Sequence, residues 1–140
     1  MSEDCIFCRI VADRSMIPYW VAESDRALAF LDINPIRTGH TLVIPKAHAV
    51  DLASVTEADW EAVAGLSARV LNILRRKLGT SGENLFVASG PGSEQSVFHL
   101  HVHVIPRTPD DDLHWNDWWE TKAFTPPTAE LVSLAKKIRS

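Results

Sequence analysis

Three histidines alternate in the segment "SVFHLHVHVIPR", residues 96–107: His99, His101 and His103. They are half of the six histidines in the chain, so the clustering asks for a chemical reason. In a strand, alternate residues share a face. The spacing therefore predicts a row of imidazoles on one side, with Phe98, Leu100, Val102 and Val104 turned to the core. Neighbours in such a row lie roughly 6.5–7 Å apart, twice the strand rise. A row of this kind suits an oxyanion wrapped around a nucleophilic imidazole, because histidine is a neutral nucleophile that becomes a cation near neutral pH. It also suits metal ligation, although successive strand positions seldom bring three nitrogens to one zinc ion. The loop "SGPGSEQS" before the row offers backbone N–H groups and the Ser96 hydroxyl to an anion.

A second constellation is Cys5-x-x-Cys8, the only two cysteines. In a reducing compartment this spacing reads as metal-binding or redox-active rather than as a structural disulfide. The N-terminus is acidic and has no signal-peptide pattern, and no apolar run reaches the ~20 residues of a membrane span. The expected setting is the cytoplasm, with no membrane partner. A net charge of -4 with no basic block argues against binding to a nucleic-acid backbone. A local pocket for a small anion remains compatible with that charge.

The elements that must position these groups are mixed α and β. Strands are expected at 19–24, 26–32, 40–45, 84–89 and 97–105, from β-branched and apolar runs bounded by turn residues. Trp60, Val63, Leu66, Val70, Leu71 and Leu74 recur at helical spacing. Thr56 with Asp59 reads as the start of that helix and Gly79 with Gly82 as its end. One domain is expected over 1–140, since this length suits a single core. After Arg107 comes an Asp- and Trp-rich loop, then a short helix from Thr128. The three tryptophans of that loop would clamp the C-terminus or border a substrate entrance.

The run His99-Leu100-His101-Val102-His103-Val104-Ile105 resembles the histidine triad (HIT) superfamily of nucleotide hydrolases and transferases. "CIFCRI", "IP", "ALAFLDINP", "GHTLVIPKAH" and "QSVFHLHVHVIPR" follow in that family's order over about residues 4–107. The chain looks most like its Hint-type and bacterial or archaeal hydrolase branch. The resemblance implies an α+β HIT-like fold, with about five antiparallel strands packed with a central helix and a C-terminal helix. It also implies a zinc-knuckle-like N-terminus at 1–17, an extension at 108–140 and a homodimer.

The implied activity is hydrolysis at the α-phosphorus of a purine nucleotide through a nucleotidyl-histidine intermediate. His101 would be the nucleophile, His103 would bind the phosphoryl oxygens and help the leaving group, and His40 would line the site against the nucleophile. Gln95 and Ser96 would hold phosphate, Asp32 the ribose, and Ile17, Phe30 and Ile33 the purine. From the residues alone, Phe30 and Ile33 read equally as core, and Asp32 as a strand-end Asx-turn. Cys5, Cys8, His48 and His99 would hold a structural Zn2+, so that His99 either binds metal or belongs to the active-site row. The expected substrate is a purine nucleoside phosphoramidate, giving an AMP-type product. The alternatives are a dinucleoside polyphosphate hydrolase, a nucleotide-binding regulatory module with little turnover, and a hydrolase with metal at the triad. The chain departs from the family where an Asn usually stands, having Ala88 and Ser89, and where small residues usually precede Gln95, having Ser93 and Glu94.

Overall fold

The structure, a computed structural model, describes residues 2–140. Its first compact unit ends at Pro109 and its second is Asp110–Ser140. The first unit holds a five-stranded antiparallel sheet in the order β1-β2-β3-β5-β4. The strands are β1 Trp20–Glu23, β2 Ala27–Leu31, β3 Thr41–Pro45, β4 Gly82–Phe86 and β5 Val102–Arg107. The expected strand count and antiparallel pairing both hold.

Period two sorts the central strands between two layers. Ala27, Ala29, Val43, Val102 and Val104 face α2, Glu57–Leu78, and pack on Val63, Leu66, Val70 and Leu74. Leu28, Phe30, Leu42 and Ile44 face the other way, onto Phe7 and Ile10 of α1, Ile6–Ala12. The start of α2 is fixed by Thr56, whose hydroxyl accepts from the Asp59 N–H at 3.2 Å. Its end is fixed by Gly79, in the left-handed region at φ 66°. Gly82 is not part of that stop; it opens β4.

Several elements differ from expectation; β4, for one, runs Gly82–Phe86 and not 84–89. A helix, α1, lies within the segment 1–17 expected to be zinc-knuckle-like, for which no helix was anticipated. The last strand starts at Val102 and not at Val97. The register Thr41↔Val104, Leu42↔His103, Val43↔Val102 would next set His101 against Ile44 and Leu100 against Pro45. Proline has no N–H to give a ladder. The Pro45 carbonyl is taken by the His99 ring, and the Leu100 N–H goes to the Ala49 carbonyl at 2.7 Å. Residues 99–101 therefore leave the sheet, and the three histidines do not form a strand row. Phe98 is 53% exposed and does not join the core, whereas Leu100 is fully buried.

The second unit contains α3, Trp115–Lys122, in the segment read as a loop, and α4, Thr128–Arg139. Among the described residues no helix is long and apolar enough to cross a membrane.

Candidate functional site

The β2–β3 hairpin builds one side of the site. Its pairing Leu31↔Thr41 sets Asp32 beside His40, and the Asp32 N–H donates to the His40 carbonyl at 2.9 Å. Gly39 makes the turn possible: at φ 92° it sits where a Cβ would lie 2.6 Å from the Leu78 side chain. Asp32 divides its oxygens. Oδ1 accepts from the Asn34 N–H at 2.9 Å, which is the Asx-turn, while Oδ2 lies 3.5 Å from His40 Nε2 and 4.0 Å from His103 Nδ1.

The other side comes from β5 and the segment before it. His103 is the one triad histidine in a strand, between Leu42 of β3 and Phe86 of β4. His101 sits just ahead of β5, 4% exposed, with ring centroids 5.0 Å from His103.

Hydrogen bonds fix the tautomers. His101 Nδ1–H donates to the His99 carbonyl at 2.8 Å, which leaves Nε2 with its lone pair. The Ile36 N–H donates to His40 Nδ1 at 3.2 Å, so neutral His40 carries its proton on Nε2. That proton faces His103 Nδ1 at 2.9 Å, and neutral His103 then carries its own proton on Nε2. His40 was expected against the nucleophile; its ring partner is His103 instead. Burial pushes the His103 imidazole down to about 4, with His101 and His40 adding to the effect and Asp32 opposing it. His40 is lowered as well, by burial against the pull of Asp32.

A cavity of about 460 Å³ opens at this pair. Its polar lining includes Asp32, Ser96, His101 and His103, and its apolar lining includes Ile6, Phe7, Ile10, Met16 and Phe30. Ile33, 74% exposed, is at the wall. Ile17 is not: it is fully buried among Leu28, Phe30 and Ile44 in the core. Ile6, Phe7 and Ile10 were missed. Their i, i+1, i+4 spacing was the available signal for one face of a helix. Gln95 also differs from expectation. Its amide donates to the carbonyls of Val50 at 2.6 Å and Val97 at 2.9 Å, and its oxygen accepts from the Gly90 N–H. Both amide hydrogens are engaged within the protein, so the side chain braces the loop instead of reaching a phosphate. Glu94 beside it is the one non-glycine at positive φ among the described residues, at 62°.

The His99 ring turns away from this cavity, into a group with Cys5, Cys8 and His48 whose ligand atoms all lie within 4.8 Å of one another. His99 Nδ1 is 3.4 Å from Cys5 Sγ and 3.6 Å from Cys8 Sγ, and His48 Nδ1 is 3.2 Å from Cys8 Sγ. Tetrahedral Zn–S and Zn–N bonds require donor separations of roughly 3.3–3.8 Å. The group therefore fits a zinc ion in its chemistry and its spacing. His99 Nε2–H donates to the Pro45 carbonyl at 2.8 Å, which leaves Nδ1 as the ligand nitrogen and fixes the ring. Burial pushes the His99 imidazole down to about 4 and the Cys8 thiol up.

The HIT domain family model matches residues 18–110. The chain belongs to the HIT family. An uncharacterised HIT-like protein of Borreliella burgdorferi is 44% identical over 110 residues, covering 77% of this chain and 78% of the relative. An adenosine 5'-monophosphoramidase of Schizosaccharomyces pombe is 33% identical, covering 97% of this chain and 96% of its own. Among solved structures, a zinc-bound histidine triad family protein from Mycobacterium smegmatis is 37% identical at a TM-score of 0.73, with 80% of this chain and 81% of that one covered. The five-stranded α+β fold is thus a HIT fold, and the general activity that the family supports is nucleotide hydrolysis.

Proposed function

We propose that this HIT protein hydrolyses purine nucleoside phosphoramidates at the α-phosphorus, with His101 as a covalent nucleophile. The observation that carries the reading is the His101 Nδ1–H bond to the His99 carbonyl, because it aims a free Nε2 lone pair from a buried ring that also lines the cavity. In the proposed first step, Nε2 attacks phosphorus, an N–P bond forms and the bond to the leaving amine breaks. The incoming phosphate anion favours a second proton on His103, at Nδ1; the His40 Nε2–H then turns to Asp32 Oδ2, 3.5 Å away, and that carboxylate, 4.0 Å from His103 Nδ1, balances the charge. The amine takes the Nε2 proton as it departs. Water then attacks phosphorus, its proton returns to His103, and the N–P bond to His101 breaks to release the nucleoside monophosphate.

Ser96 supplies a hydroxyl to the phosphoryl oxygens, Asp32 takes the ribose hydroxyls, and the apolar side chains of the lining receive the base. The phosphoramidate is preferred over a dinucleoside polyphosphate because no Lys or Arg lines the cavity to neutralise a polyphosphate leaving group, while Asp32 adds negative charge. The similarity to the S. pombe monophosphoramidase supports the same choice. Cys5, Cys8, His48 and His99 hold a structural zinc in this reading, which supplies no chemistry and pins the N-terminal segment. A cytoplasmic setting keeps both thiols reduced for it. The homodimer belongs to the same proposal: β4 is an edge strand with Leu85 and Phe86 each 51% exposed, an apolar edge that a second copy would cover.

A substrate panel tests this. An adenosine 5'-phosphoramidate should be turned over well ahead of dinucleoside polyphosphates, and His101→Ala should abolish turnover while AMP still binds. Polyphosphate preference would overturn the substrate class, and undiminished turnover in the variant would overturn the nucleophile.

A further inference from the structure

We propose that Cys5, Cys8 and His48 are positioning residues for the nucleotide site, so that zinc in their cluster and nucleotide in the cavity bind cooperatively. This rests on the nucleotide reading above and adds a coupling between two sites. Three physical ties carry it.

The first is His99. Its ring belongs to the cysteine cluster and its carbonyl holds the ring of His101. The second is α1. Cys5 immediately precedes this helix and Cys8 lies on it, while Ile6, Phe7 and Ile10 of the same helix form cavity wall. Phe7, between the two cysteines, packs edge to face with three rings, its centroid 5.7 Å from that of His99, 5.5 Å from His101 and 5.6 Å from Phe30. A helix of seven residues, with no side-chain cap at its N-terminus, is marginal by itself and takes its position from what it is attached to. The third is the turn that carries His48. The Ala49 carbonyl accepts the Leu100 N–H, and the Val50 carbonyl accepts from Gln95. Drawing His48 and His99 onto one ion therefore fixes the backbone that leads into His101.

Coupling of this kind is reciprocal: whatever factor zinc adds to nucleotide affinity, nucleotide adds to zinc affinity. The test is a chelator competition on the zinc-loaded full chain. It is run alone, with AMP, and with ribose 5-phosphate, each ligand at the same multiple of its own Kd. AMP places a base against Ile6, Phe7 and Ile10; ribose 5-phosphate does not. The expected result is an apparent zinc affinity raised about 5- to 20-fold by AMP and less than about twofold by ribose 5-phosphate. The zinc-free chain should bind AMP more weakly than the zinc-loaded chain by the same factor as AMP strengthens zinc, and Cys8→Ser, checked for folding by circular dichroism, should likewise bind AMP more weakly.

Equal effects of the two ligands would overturn the proposal, since mass action on a folded state gives that result without any route through α1. So would an AMP effect within twofold, or a purified chain that takes up no zinc. AMP failing to bind the zinc-loaded protein at all would instead overturn the nucleotide reading, and the coupling with it.

Discussion

The ring of His101 is held by the carbonyl of His99, 2.8 Å from its Nδ1, while the ring of His99 points into a cysteine cluster on the other side of the chain. Two residues apart in sequence, their rings lie in different groups, His99 with the cysteines and His101 in the cavity lining. The alternation of histidines therefore reflects a shared backbone and not a shared face.

The His40–His103 contact gives the first prediction. His40 sets the tautomer of His103 through a 2.9 Å bond and makes no hydrogen bond to His101 among the described residues. His40→Ala should lower kcat by roughly 10- to 100-fold, the scale of an impaired acid–base group, with KM within about twofold. Steady-state kinetics on the phosphoramidate measures both. A change confined to KM would place His40 in substrate binding instead.

The low value at His103 sets a pH dependence of stability. The folded protein holds this imidazole neutral down to about 4, whereas the unfolded chain protonates it near 6.5. Between those values the unfolded state binds more protons, so stability falls as pH falls. The contribution is complete above about pH 6.5 and is lost as the pH drops through about 4; it is on the order of 2–3 kcal/mol. Urea midpoints from pH 7.5 to 4 should show a steeper acid loss in the native chain than in His103→Asn. Identical slopes would contradict the assignment.

Gln95 gives a third. Its three side-chain bonds tie Gly90, Val50 and Val97 together. Gln95→Ala should lower stability by about 1–3 kcal/mol, because it leaves the Gly90 N–H and the Val50 and Val97 carbonyls short of partners. Thermal unfolding reads this directly. A variant of unchanged stability with a raised KM would return Gln95 to the phosphate.

What the sequence made legible follows from physics that acts locally. Alternating apolar residues marked β2 and β3, and the 3.6-residue period with Thr56 and Gly79 marked α2 almost to its ends. Asp32, His40, His101 and His103 could be gathered because each adjoins or lies in a strand whose neighbours are fixed by register. The misses came from partners distant in sequence. Nothing near Leu100 announces that Pro45 will stand opposite and end the ladder. Nothing near Gln95 announces the Val50 carbonyl. Ile17 went to the core because α1, itself unread, covers that face of the sheet with Phe7 and Ile10.

The central claim is a covalent nucleotide on one ring. Rapid quenching into alkali during turnover of an adenosine phosphoramidate, followed by proteolysis and mass spectrometry, examines it directly. One adenylyl group is expected on the peptide spanning Ser96–Arg107, carried by His101 and absent from His101→Ala. Full turnover with no adduct on that peptide, or an adduct carried by His103, would contradict it.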